Sequence, residues 1–251
     1  MDLGLAGKGV VITGGSRGIG RAIALAFADE GANIAICARG KEALDATAKQ
    51  LVAKGVKVHA QTADLAKPAE LDAFLDGAHQ VLGRVDVLVN NASGFGISDD
   101  ESGWKTGFDV DIMASVRASW KVVPWMTAQG GGAIVHISST SALEAGSPPA
   151  YAAVKAALIS HSKTLAVALA PSRIRVNTVA PGSIEFPGGL WDRIKQENPE
   201  GYEAMRRSIP FGRLGRAEEV AAAVVFLASS RASWISGVTL SVDGVQHKGN
   251  L

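Results

Sequence analysis

Residues 8–20, Lys-Gly-Val-Val-Ile-Thr-Gly-Gly-Ser-Arg-Gly-Ile-Gly, constrain this chain more than any other stretch: an apolar run meets a glycine-rich turn and then a helix start. Val10, Val11 and Ile12 read as a buried parallel strand, and Ile19, Ile23, Ala24, Phe27 and Ala28 recur along one helical face. Gly14, Gly18 and Gly20 let the backbone bend and approach a ligand closely. Unpaired N–H groups of a helix starting near Gly18 then favour an anion, so the turn, with Ser16, Arg17 and Ile19, suits a dinucleotide pyrophosphate. A tight turn without a ligand needs glycines too, and the chain has 29 of them. The strand before the cluster and the helix after it carry the inference.

The same alternation continues. Strand-like runs at 10–13, 33–38, 56–62, 85–90, 133–138, 174–179 and 239–242 alternate with helical patterns at 18–29, 41–54, 68–82, 104–129, 150–169 and 217–228. This pattern predicts an α/β fold: a doubly wound, Rossmann-like domain with a parallel seven-stranded sheet and helices on both faces. No repeat or Pro/Ser-rich linker divides residues 1–251, so one domain is expected. The stretch 181–210 breaks the rhythm with four prolines and four glycines. It reads as a substrate-covering loop, with Phe186, Leu190, Trp191 and Met205 as candidate pocket lining, or else as a plain surface excursion.

Bulk properties exclude several classes. Lys plus Arg number 25 and Asp plus Glu 24, so the net charge of +1 gives no basic field for nucleic acid. Trp104, Trp120 and Trp125 fit helix packing or a subunit interface better than base stacking. His59, His79, His136, His161 and His247 lack metal-ligand spacing, and no metal is expected. The lone Cys37 lies in an apolar strand and reads as packing. No leader pattern opens the chain and no apolar run approaches the roughly 18 residues of a membrane span, which suggests a cytoplasmic protein without membrane or nucleic-acid partners.

Tyr151 and Lys155 stand four apart on a predicted helix, hence on one face. Tyrosine ordinarily titrates near 10, and an ammonium one turn away in a partly dry cleft favours its phenolate, the requirement for proton transfer near neutrality. Ser138 and Ser139 end the strand upstream, at the sheet edge where open α/β folds bind ligands.

With these residues the chain resembles the short-chain dehydrogenase/reductase family nearly end to end. The motifs run in the family's order: Thr13 to Gly20, Asp64-Leu65, Asn90-Asn91-Ala92, Ser139 with Tyr151-Ala-Ala-Val-Lys155, and Pro181-Gly182. Arg175-Val176-Asn177 and Val242-Asp243-Gly244 match as well. The resemblance implies a carbonyl–alcohol oxidoreductase with Tyr151 as general acid/base. Lys155 would tune Tyr151 and hold the nicotinamide ribose, and Ser139 would orient the substrate oxygen. Asp64, with Leu65, would face the adenine, Asn91 and Ala92 would lie along the adenosine ribose, and Ile184 after Pro181-Gly182 would reach the carboxamide.

The chain departs from the family pattern at Ser93 for glycine, Asp111 for an asparagine that anchors a water beside the lysine, and Phe186 for threonine. The interval from Ser139 to Tyr151 is one residue short, and Ser138 would restore it; strand-end position favours Ser139. Ala38 ends the second strand where an NAD-binding acid would stand, and Arg39 and Arg17 can converge on a 2′-phosphate, so NADP(H) is the expected cofactor. A solvated Arg39 is the alternative. A 3-oxoacyl-thioester reductase, suggested by Phe211-Gly212-Arg213-Leu214-Gly215, and an inactive nucleotide sensor are the competing functions. The resemblance also implies a homo-tetramer or homo-dimer built through the helices at 104–129 and 150–169.

Overall fold

β1 (Gly9–Thr13), buried along its whole length, is the strand from which the chain builds outward in both directions. The computed structural model describes residues 2–249. From β1 the chain forms α1 (Gly18–Asp29), β2 (Asn33–Ala38), α2 (Lys41–Val52), β3 (Val58–Thr62), α3 (Pro68–Leu82) and β4 (Val87–Asn90). The sequence then forms α4 (Glu101–Gly107), a π-helical stretch (Phe108–Met113), α5 (Ala114–Ala128), β5 (Gly132–Ile137), α6 (Pro149–Leu169) and β6 (Ile174–Pro181). Last come β7 (Ile184–Glu185), α7 (Leu190–Glu197), α8 (Pro199–Ser208), β8 (Gly215–Arg216), α9 (Ala217–Ala228) and β9 (Thr239–Val242).

The seven-stranded sheet has the order β3-β2-β1-β4-β5-β6-β9, parallel throughout. Alternate residues feed two cores, as a period of two demands. Val10, Ile12, Ile34 and Ile36 meet Ile23 and Phe27 of α1 and Val220 and Val224 of α9. Val11, Ala35 and Leu88 meet Leu71 and Phe74 of α3 and Val122 and Met126 of α5. Cys37 belongs to the second core, where burial pushes its thiol up to about 12. Strand order reverses between β1 and β4, which opens a crevice at their carboxyl ends.

Four features differ from expectation. β4 starts at Val87, two residues later than expected, although Asp86 N donates to Gly9 O (2.7 Å) and Asp86 O accepts from Ala133 N (2.9 Å); the Asp86 carboxylate accepts from Gly9 N (2.8 Å) and from Arg84 and pins the strand's entrance. The single helix expected over 104–129 is α4, a π turn and α5; the wider turn changes which side chains face inward. The segment 181–210 is no loop: it folds as β7, α7 and α8, and Trp191, Ile194 and Met205 pack on a small core of Tyr202, Ile209 and Leu214. That packing takes Trp191 and Met205 away from the role of open pocket lining. α6 with its following turn is, by length and composition, apolar enough to cross a membrane, contrary to the sequence reading. It carries Lys155, His161 and Lys163, and buries Val154, Lys155, Leu158 and Ala166.

Candidate active site

The glycine turn has the shape a dinucleotide needs. Gly14 (φ 71°) and Gly18 (φ 54°) occupy the left-handed region, which side chains resist. A Cβ on Gly20 would lie 2.1 Å from the Gly14 carbonyl oxygen. α1 begins after Arg17 with no side-chain cap, so its first amides stay free for an anion. Gly15 N donates to Cys37 O (3.0 Å) and Thr47 Oγ1 donates to Ser16 O (2.9 Å), which locks the turn against β2 and α2. These residues fit a pyrophosphate. Ile19 packs on the core beside the turn, and the Phe186 ring lies over Gly18, where a Cβ would come within 2.5 Å of it.

Asn91 does something other than line a ribose with its side chain. Its Nδ2 donates to Thr13 O and Gly14 O, both at 3.0 Å, and the backbone amides of Asn91 and Ala92 donate to Thr13 Oγ1. The amide is therefore a brace for the turn, a role that Thr13 shares and that sequence reading did not assign. Leu65 likewise turns its side chain into the second core, away from the cavity that its neighbour Asp64 lines.

Beside the turn, a cavity of about 240 Å³ is lined by Arg39, Thr62, Ala63, Asp64 and Glu70. Arg39 and Arg17 are exposed, and neither forms an ion pair among the described residues. The two acids are occupied: Asp64 accepts from Ala66 N (3.2 Å), and Glu70 accepts from Lys67 (2.9 Å) and Asp64 N (2.7 Å). Glu70 escaped the sequence reading because it enters the cavity from α3, outside any motif.

Across the crevice the site is built from buried charge. Lys155 Nζ lies 5.6 Å from the Tyr151 ring centroid, bonds to Ile137 O (3.1 Å) and pairs with Asp111 Oδ1 at 2.8 Å. Both partners are buried, their side chains 3% and 0% exposed. Burial works against the lysine's charge, yet the Asp111 carboxylate, with Tyr151, holds its pKa above the ordinary value. No water-anchoring asparagine is replaced in kind here: the carboxylate takes the ammonium directly. Its second oxygen, Oδ2, accepts from Gly94 N (2.8 Å). The π turn delivers Asp111 to this point, and π turns recur at functional positions.

The two serines divide. Ser138 is buried and its Oγ donates to Lys155 O (2.8 Å), tying β5 to α6. Ser139 is half-buried, and its Oγ accepts from Ser141 N (3.1 Å), leaving the hydroxyl proton available. Behind Lys155, His136 is fully buried with Nδ1 3.2 Å from Asn90 Nδ2 and its ring 5.5 Å from that of His161. Burial, the neighbouring His161 and the Lys155 charge lower His136 to about 3, so it stays neutral.

At the far wall, Pro181 ends β6 and Gly182 packs against the C-terminal segment, where a Cβ would meet Asp243 and Gln246 at 2.7 Å. Ile184 is buried and paired with Gly215 across β7 and β8.

Residues 14–245 match the family described as Enoyl-(Acyl carrier protein) reductase. The chain is 35% identical to the isoepoxydon dehydrogenase patN of Penicillium expansum, over 99% of this chain and 98% of that protein. It is 37% identical to the 3-oxoacyl-(acyl-carrier-protein) reductase FabG of Thermotoga maritima, over 96% of this chain and 98% of that one. The crystal structure of L-sorbose reductase from Gluconobacter frateurii, complexed with NADPH and L-sorbose, superposes with a TM-score of 0.90 at 36% identity, covering 99% of this chain and all of that one.

Proposed function

The chain belongs to the short-chain dehydrogenase/reductase family of oxidoreductases, and we propose that it is an NADP(H)-dependent enzyme interconverting a carbonyl and an alcohol with Tyr151 as general acid/base. One observation carries the proposal: a buried lysine, kept charged by Asp111, lies beside the Tyr151 ring at the carboxyl edge of the sheet. Gly14, Ser16, Gly18, Ile19 and Gly20 hold the pyrophosphate through backbone and α1 dipole. Arg17 and Arg39 meet the 2′-phosphate, and Asp64 and the Leu65 backbone border the adenine cavity. Ala92, Pro181, Gly182 and Ile184 line the route to the nicotinamide, which when bound supplies or accepts the hydride. Ser139 donates to the substrate oxygen and fixes its position. Tyr151 gives its proton to a carbonyl oxygen in reduction, or takes the hydroxyl proton in oxidation, and Lys155 balances the charge that develops on the phenol oxygen.

The NADPH complex of the sorbose reductase supports the cofactor assignment, as does the pair of free guanidinium groups. Residues 1–251 act as one cytoplasmic catalytic domain with 181–210 covering the substrate. Trp104, Phe108 and Trp120, exposed at 39%, 52% and 65%, fit burial in a homo-dimer or homo-tetramer. A 3-oxoacyl-thioester reductase is the second reading, favoured by the likeness to FabG.

Tyr151→Phe tests the mechanism. Carbonyl reduction by the variant should fall by at least ~1,000-fold, while NADPH still quenches tryptophan fluorescence. Undiminished turnover in the variant, or a wild type that works faster with NADH than with NADPH at matched concentration, overturns the corresponding half of the proposal.

A further inference from the structure

Phe95 stands on the loop after β4 with φ 50°, in the left-handed region that bulky side chains rarely adopt. The conformation is imposed from several sides. Gly94 N donates to Asp111 Oδ2 (2.8 Å), Phe95 N donates to Ser93 Oγ (3.1 Å), and Ile97 N donates to Phe95 O (2.8 Å). The flanking glycines press the loop onto α4: a Cβ on Gly94 would lie 2.7 Å from Thr106 Cγ2, and one on Gly96 would lie 2.1 Å from Gly103 O. Strain held this firmly marks a side chain whose direction matters. The Phe95 ring stacks on the ring of Tyr151, centroids 5.9 Å apart and planes 19° from parallel, yet the residue remains 56% exposed.

We propose that Phe95 is a specificity-determining residue, extending the Tyr151 ring into an aromatic wall that selects a carbonyl or alcohol carried on a flat apolar ring. The inference rests on the proposed function and deepens it. A third ring between the two would need about 7 Å, twice the usual carbon contact distance, and the centroids are 5.9 Å apart, so the substrate ring lies against the exposed part of Phe95 on the side of the pair from which its oxygen reaches the Tyr151 hydroxyl. Flat rings gain from offset stacking on such a wall, whereas an open chain gains less contact and loses rotational freedom. Asp111 is the positioning residue of this arrangement: one carboxylate holds Lys155 beneath Tyr151 and the loop that aims Phe95.

Steady-state reduction of acetophenone against 2-octanone, a flat ring and an open chain of equal carbon count, by wild type and Phe95→Ala with NADPH tests the assignment. In the wild type kcat/KM should favour acetophenone by about tenfold, and Phe95→Ala should remove most of that preference, chiefly through KM. Phe95→Tyr, which keeps the ring face, should retain it, and Phe95→Leu, which keeps bulk alone, should not. Equal losses on both classes in Phe95→Ala, or a wild type that prefers the open chain, overturn the inference and leave the proposed function standing. A wild type that reduces no carbonyl compound with either nicotinamide cofactor overturns both.

Discussion

The two sides of the crevice are made by opposite means. The side around β1 and α1 is a backbone device: glycines with positive φ, free helix amides, and carbonyls braced by Asn91. Apart from Asn91, its parts lie close together in sequence and carry little side-chain charge. The side around β5 and α6 is a side-chain device, in which Lys155, Asp111, His136 and Asn90 are brought from four separate elements into a dry interior. A backbone device is shaped by what is absent, the Cβ atoms. A buried-charge device is shaped by what is paired, and it fails when one partner goes.

Removing that partner should give the largest effect. Asp111→Ala leaves the Lys155 ammonium buried without its counter-charge and the Gly94 amide without an acceptor, a loss of about 3–5 kcal/mol in unfolding free energy. Replacing both partners by apolar residues, Asp111→Leu with Lys155→Met, should recover most of the stability while abolishing turnover, because pairing and not charge itself stabilises the fold. Urea denaturation of Asp111→Leu, of Lys155→Met and of the double closes the cycle. Additive losses would show that the pair contributes nothing as a pair.

On the backbone side the matching experiment adds an atom. Gly20→Ala places a methyl 2.1 Å from Gly14 O and 2.5 Å from Asn91 Nδ2, contacts that no rotamer can relieve. Alanine favours a helix over glycine by about 1 kcal/mol, but overpacking against backbone outweighs it, and a net loss of about 2–3 kcal/mol is expected. NADPH affinity should fall with it, since the turn must open. A variant as stable as wild type with unchanged affinity would mean that the close approach at Gly20 is not what shapes the turn.

This contrast also decides what could be read from the residues. The boundaries of α1, α3, α9, β2 and β9 follow from local periodicity and punctuation, and the glycine turn from thirteen contiguous residues. The Tyr151–Lys155 spacing placed that pair on one helix face for the same reason. Asp111 was visible only as a residue out of pattern, because its ion pair depends on a π turn in one helix meeting the interior of another. Glu70, the turn-bracing task of Asn91 and the inward face of Leu65 were hidden likewise: each is settled by a neighbour distant in sequence. The segment 181–210 misled in the other direction. Its prolines and glycines read as loop, yet Pro199 sits at a helix start and Gly189 just before one, positions where these residues begin helices.

A smaller effect probes the buried-charge side without disrupting it. His136 is held at about 3, so between pH 6.5 and 3 the unfolded chain binds a proton that the folded chain does not. Its contribution is complete above 6.5 and is lost as the pH falls through that window. From pH 6.5 to 5 the loss should be about 2 kcal/mol, the linkage slope being at most about 1.4 kcal/mol per pH unit. His136→Asn keeps an acceptor for Asn90 Nδ2 and removes the titration, so its stability should vary less with pH over that interval. His59 and His161 are also lowered by burial and act in both proteins. The difference between the two profiles therefore isolates His136. Parallel profiles would mean that His136 takes up its proton in the folded protein beside Lys155, and that this interior tolerates a second charge.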